Sequence, residues 1–481
     1  MTQPPAGDGV PGPSSSAAAT AGASTGEPEL ARRLGTWDAV LITVGSVIGT
    51  GIFLTTSDIA RELPSATLIL GVWVLGGVLT LCGALTYGEL GAMFPRAGGI
   101  YHFLKEAYGT PVGFLYGWAA FLVIMSGGIA ALAVAFGEYF GSFVPWFSTS
   151  HLLWEVPLGG GTWRVSGGQV AAAIAILVLT LSNHFGVREG ALVQNLLTVV
   201  KVGGVGLLVV FGLWAAPGAG AALSSSAAPA LAAPAGLLSA VGIAMIAALW
   251  TYDGWYGATF SAGEMRDPSR NLPFGLVWGT VLIVALYLGL NVVYLRALPI
   301  EEIASSTRIA EDATVALLGP GAGKLVSAMI VVSTLGCLAA TLLYSSRIYL
   351  PMARDGVFFR SFGVVHPRWR VPTISLWAQS VWAILLTLSG TYEQLYTYVV
   401  FAAVAFHALG GMAVIVLRRS RPDLPRPYRV WGYPLVPIVF IGSSLLLVGN
   451  TLVERPVEAL LGTGLVLLGL PAYAWWRSRP A

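Results

Sequence analysis

Past about residue 34, long apolar runs alternate with short polar connections. The runs fall near 36–62, 66–90, 111–141, 167–185, 189–214, 235–263, 274–296, 320–351, 372–389, 393–418, 432–452 and 456–476. Each is long enough to cross a bilayer's hydrocarbon as a helix, which takes about 20 residues. The pattern predicts an all-α integral membrane protein with twelve transmembrane helices. Composition agrees: of 481 residues, 56% are hydrophobic and 10% charged, and mean hydropathy is +0.75, too apolar for a soluble chain. Residues 1–34 are rich in Pro, Ala, Gly and Ser and lack the basic start and apolar core of a secretory signal. They read as a disordered cytoplasmic tail.

Two runs are interrupted. Gly45-Ser46-Val47-Ile48-Gly49-Thr50-Gly51-Ile52-Phe53 puts three glycines into the first, each costing about 1 kcal/mol against alanine inside a helix. Trp250-Thr251-Tyr252-Asp253-Gly254-Trp255 breaks the sixth and sets a carboxylate at membrane depth. Broken helices at matching positions of two halves mark inverted repeats with a midplane site, the LeuT-type 5+5 arrangement. On this reading residues 35–214 hold spans one to five and 215–418 spans six to ten. Residues 419–481 add the last two spans and a short cytoplasmic tail.

Charge placement sets the orientation. Arg61, Arg164, Arg296, Arg308, Lys324 and Arg455 fall on one side; apart from Lys201, the rest of the 26 Lys and Arg fall on the other. Both termini are therefore expected in the cytoplasm, with the chain in the cell (inner or plasma) membrane. The formal charge of +3 reports this topology and does not call for a nucleic-acid partner. Cys82 and Cys337 lie within apolar runs, where a small buried apolar residue explains each.

Unwinding a helix in the membrane strands polar backbone, so each break must be satisfied by protein, water or ligand. The N–H groups of Gly49, Thr50 and Gly51 open the second half-helix and favour a carboxylate. Carbonyls near Val47 and Trp250, with Asp253, suit an ammonium. Together these describe a site for a zwitterion, against the competing explanation that the glycines serve close helix packing. Lys201 shares a helix face with Gln194 and Thr198. An intramembrane cation is costly and marks a partner or pathway, and this one is placed to bridge carbonyls of the first break to Ser333 or Thr334. Trp250 suits an aromatic lid, or else is a lipid-facing or core aromatic. Tyr287 and Asn291, one turn apart, face either the site or a neighbouring helix. His407 reads as a packed or water-contacting residue rather than a proton carrier.

Several motifs in order resemble one family. Gly45 to Phe53, Tyr87-Gly88-Glu89-Leu90 with Pro95-Arg96-Ala97-Gly98-Gly99, Trp250 to Pro273, and Arg421-Pro422-Asp423-Leu424-Pro425-Arg426-Pro427-Tyr428 are similar to the amino acid-polyamine-organocation superfamily, most to its L-type amino acid transporter branch. The resemblance spans about residues 36–478. It implies a substrate carboxylate at Ser46, Thr50 and Gly51, an amine near Val47, Trp250 and Asp253, and Lys201 in the place of a sodium ion. Animal members join a glycoprotein heavy chain through a cysteine between spans three and four. Residues 142–166 hold none, so no disulfide-linked partner is expected.

The leading expectation is a carrier for L-amino acids, neutral ones first, by sodium-independent exchange or uniport. Proton-coupled uptake that includes cationic amino acids is the alternative within transport, and a nutrient receptor on the same fold the alternative outside it. No Ser/His/Asp, two-carboxylate or metal-ligand cluster appears, so neither an enzyme nor a cofactor or metal site is expected.

Overall fold

The computed structural model describes residues 34–478 apart from 97, 159–160, 186–187 and 216–233. The expected tail at 1–34 lies almost wholly outside these residues. Where the sequence shows one apolar run at 36–62, the chain forms two helices, α1 (Thr36–Val47) and α2 (Thr55–Glu62), joined by a single 3-10 turn at Gly51–Phe53. Next come α3 (Ala66–Met93), the short α4 (Ile100–Tyr108), and a run made of α5 (Thr110–Ala119) and α6 (Met125–Phe140) linked by a π segment at Ala120–Ile124. Then follow α7 (Gly167–His184), α8 (Arg188–Ala215) and α9 (Pro234–Tyr252). After α9 the chain unwinds and continues as a 3-10 stretch, Gly257–Glu264.

The second half runs through α10 (Pro268–Ala297), the short α11 (Ile300–Ser305) and α12 (Ile309–Leu318), then α13 (Pro320–Ser345) and α14 (Tyr349–Arg354). It ends with α15 (Thr373–Thr387), α16 (Tyr392–Ser420), α17 (Leu435–Glu454), α18 (Pro456–Leu467) and α19 (Gly469–Arg477). Among the described residues ten helical stretches are long and apolar enough to cross a membrane, and Thr36–Val47 and Thr373–Thr387 are shorter apolar helices. Breaking the first run into halves explains one of these; α15 is brief because Pro372 and the Ser389-Gly390 turn bound it.

One element departs from the all-α expectation. Leu152–Leu158 and Gly161–Ser166 pair as an antiparallel hairpin between α6 and α7, with Glu155 opposite Arg164 and an ion pair of 2.8 Å between them. Trp154 and Val156 on one strand and Trp163 and Val165 on the other carry the two-residue period of a strand.

The core of the bundle forms where α3 lies along α10, with α1 on the other side of α10 and α6 packed between α13 and α16. Gly275 and Gly279 let α10 approach α1: a Cβ at Gly275 would stand 2.6 Å from that of Ala39. This close packing seats α10 directly against the first interrupted helix.

Candidate functional site

At the end of α1, Ile48 turns out of the helix (φ −70°, ψ 86°), and the N–H of Gly49 folds back onto the Val47 carbonyl at 2.7 Å. At the second break Gly254 takes φ +94°, a left-handed conformation that glycine tolerates. The breaks interlock. A Cβ on Gly51 would lie 2.9 Å from Thr251 Cα, and one on Gly254 2.6 Å from the Ser46 carbonyl oxygen. Thr55 and Thr251 hydroxyls add a 2.6 Å hydrogen bond across the crossing.

Between the breaks sits a cavity of about 40 Å³. Ser46, Val47, Gly49, Thr50 and Gly51 line it from one side and Trp250, Thr251, Asp253 and Gly254 from the other. Ile124, Met125, Gly128 and Leu132 complete one wall; Cys337, Thr341 and Tyr344 of α13 complete another. The N–H groups of Thr50 and Gly51 have no backbone acceptor among the described residues. Asp253 accepts a hydrogen bond from Tyr256 (3.3 Å), and no Lys or Arg lines the cavity. It therefore offers free donors to an anion and an uncompensated carboxylate to a cation.

The carbonyls of the first break are taken by other helices. Lys201 is buried, and its ammonium donates to the carbonyls of Gly45 (2.6 Å) and Ile48 (2.9 Å). The Cys337 thiol approaches the Ser46 carbonyl at 3.5 Å. The Tyr287 hydroxyl lies 3.1 Å from the Val47 carbonyl and 3.2 Å from that of Thr251, so it ties the two breaks together from outside the cavity lining. Asn291 holds this tyrosine's helix to α2, accepting from Thr56 (2.9 Å) and donating to the Tyr287 carbonyl (2.8 Å). Thr334 donates to Ile330 (2.7 Å) and the Ser333 hydroxyl is buried without a partner; neither is bonded to the ammonium. Gln194 is among the residues whose side chains are not described, while Thr198 is buried beside Lys201's helix face.

Residues at the N-terminus of α16 join the site, although they were not among those expected there. The Trp250 indole donates to the Tyr392 hydroxyl (2.7 Å) and stacks on Tyr396 (5.9 Å, 17°). Tyr396 in turn donates to Asp58 of α2 (2.9 Å). The i, i+4 spacing of these tyrosines was the available signal. This aromatic layer separates the small cavity from a vestibule of about 950 Å³ lined by Asp58, Glu138, Arg164, Tyr392 and Glu393. At the opposite end the path is tied shut. Glu264 pairs with Arg347 (3.2 Å), Leu34 exchanges backbone hydrogen bonds with Glu264 and Arg266, and Asp355 receives Lys105 (2.7 Å) and Tyr101. Buried Glu89 receives Arg418 at 2.6 Å and the Val430 N–H at 2.7 Å.

A narrow polar socket between interrupted, membrane-length helices, with a wide opening on one side and ion pairs on the other, fits the passage of a small zwitterion. The sequence profile of the amino acid permease family matches residues 34–468. The serine/threonine exchanger SteT of Bacillus subtilis is 30% identical over 456 residues, covering 94% of this chain and 98% of that protein. The human large neutral amino acids transporter small subunit 2 is 29% identical, covering 98% of this chain and 85% of its own length. The human b(0,+)-type amino acid transporter 1 is 30% identical, with 92% and 88% covered. This chain belongs to the amino acid permease family, in the L-type branch of the amino acid-polyamine-organocation superfamily, and is a multi-pass membrane transporter of amino acids rather than an enzyme.

Proposed function

We propose that the protein carries neutral L-amino acids, small ones first, by sodium-independent exchange or uniport through alternating access. The observation that carries this is a single cavity of about 40 Å³ lined both by Asp253 and by Thr50 and Gly51, whose N–H groups have no backbone acceptor among the described residues. The N–H groups take the substrate carboxylate and Asp253 its ammonium. Ser46, Val47 and Gly49 shape the backbone between them, and Trp250 closes over the side chain. Small side chains come first because the name of the bacterial relative says that it exchanges serine and threonine. Lys201, bonded to the Gly45 and Ile48 carbonyls, takes the place of a sodium ion at the first break, Ser333 and Thr334 are assigned to the same coupling site, and Tyr287 couples the two breaks.

The proposed architecture is twelve spans in two inverted repeats of five, at 35–214 and 215–418, plus a final pair. The split helix α1–α2 and the short α15 bring the ten long stretches to twelve. Both termini lie in the cytoplasm, and the transporter works in the cell membrane without a disulfide-linked heavy chain, since residues 142–166 lack cysteine.

Purified protein in liposomes tests this with radiolabelled L-threonine. Uptake should accelerate when unlabelled amino acid is loaded inside and persist when choline replaces sodium. A sodium requirement overturns the coupling, and saturable binding without flux would make the protein a receptor. Esterifying the substrate carboxylate should cost most of the affinity, since a charge-assisted hydrogen bond is worth about 1.5–3 kcal/mol. The reading that favours proton-coupled or cationic uptake rests on the uncompensated Asp253 carboxylate.

A further inference from the structure

A second cavity lies against Asp253. It measures about 30 Å³ and is walled by Thr80 of α3, Trp255, His407 of α16, and Ser443 and Ser444 of α17. Asp253 lines both this cavity and the substrate cavity, and is the one residue common to the two linings. One water needs about 10–15 Å³ of such space, so the cavity has room for about two. We propose that Asp253 and His407 are a proton-exchanging pair across this cavity, so that a proton reaching it from the α3/α16/α17 side competes with the substrate's ammonium for Asp253. The inference rests on the placement of the substrate amine at Asp253 given above.

Three observations support it. Asp253 and His407 face the same water-sized space, and Tyr256 bridges them: its hydroxyl donates to Asp253 at 3.3 Å while its ring packs on the His407 imidazole at 4.9 Å. His407 is 7% exposed and lines this cavity, and its ring nitrogens are not among the sealed polar atoms left without a partner, so they open onto the cavity. A neutral imidazole has one donor and one acceptor to satisfy, and burying them unmet is costly. Water entering the cavity would satisfy both. The hydroxyls of Thr80, Ser443 and Ser444 are spent on carbonyls of their own helices, which leaves their lone pairs to accept from that water.

Among the described residues, no Lys or Arg lines either cavity. A carboxylate held in such a place needs a cation, and two are on offer: the ammonium from one cavity or a proton from the other. When the ammonium arrives, the O–H bond of the Asp253 carboxyl breaks and its proton passes through water to the free nitrogen of His407, forming an imidazolium. The imidazolium later gives the proton up to water. The other titratable groups around the pair are phenols and a thiol. Tyr87 packs against His407 at 6.2 Å, and Tyr116, Tyr344 and Cys337 lie within electrostatic reach of Asp253. None of these carries a positive charge to replace the proton.

The test measures L-threonine affinity by calorimetry between pH 5.5 and 8.5 on purified, monodisperse protein. Wild-type affinity should fall toward acid pH, approaching tenfold per pH unit below the midpoint, and Asp253→Asn should be weak and flat. His407→Phe should keep its pH 8.5 affinity within about twofold while its midpoint moves to higher pH, because Asp253 loses the polar partner that favours its charged form. His407→Gln, which hydrogen-bonds without titrating, should recover part of that shift. Wild-type binding that is intact but independent of pH, or His407 variants that both follow the wild-type profile, would overturn the pair and leave the transport reading standing. Absence of L-threonine binding at every pH would overturn both.

Discussion

An ammonium sealed from water is costly unless its donors find acceptors, and Lys201 places two of its three on carbonyls of one broken helix. Replacing it with alanine leaves the Gly45 and Ile48 carbonyls unpaired, at about 1–3 kcal/mol each, and loosens the break where the half-helices must move together. Lys201→Ala should therefore lose at least about tenfold in flux through liposomes while L-threonine affinity weakens less. Flux at the wild-type rate would make the lysine merely a packing residue. Glycines at the site divide by what surrounds them. Gly51 abuts Thr251 backbone, so Gly51→Ala must push the two breaks apart and should lower both affinity and melting temperature. Gly128 lines the cavity, and a Cβ there meets nothing within 4 Å. Gly128→Val should thus fill the substrate space, with binding lost and melting temperature kept within a few degrees.

At the scale of elements, the vestibule and the substrate cavity are separated by side chains from three of them: Trp250 of α9, Tyr392 and Tyr396 of α16, and Asp58 of α2. Tyr396→Phe removes the bond to Asp58, worth about 1 kcal/mol, and should open the layer more often. Cys337 on the cavity wall is a built-in reporter. In a Cys82→Ala background, a small hydrophilic thiol reagent should modify Cys337 several-fold faster in Tyr396→Phe than in the parent, and equal rates would show that this bond does not hold the layer. The broken helices were legible in the sequence because Gly51, Gly254 and Asp253 violate the rules of an apolar span. The roles of Cys337, Tyr392 and Tyr396 were not. A cysteine in an apolar run looks like core until the packing of α13 against α6 decides which way it faces, and a tyrosine pair at a helix start gains meaning only when α9 brings Trp250 against it. The hairpin at 152–166 was missed because its strands are short beside the long helical runs.

The whole molecule presents two unlike faces. On the hairpin side the vestibule is wide and bordered by few basic residues; on the other, arginines crowd the connections and buried Glu89 gathers Arg418 and the Val430 N–H into a fixed corner. Basic residues near span ends are retained in the cytoplasm, so the ion-paired end should face inward and the vestibule outward. Single-cysteine labelling in intact cells decides this, starting from a background without Cys82 and Cys337. Asp423 lies exposed in the loop after α16 and Trp154 is 68% exposed on the hairpin, so a cysteine at either position disturbs neither the Glu89 corner nor the substrate site. Trp154→Cys should react with a membrane-impermeant maleimide added outside, and Asp423→Cys should react only after the cells are permeabilised. The reverse pattern would invert the molecule, turning the open vestibule toward the cytoplasm and making the Glu264–Arg347 pair an outer closure rather than an inner one.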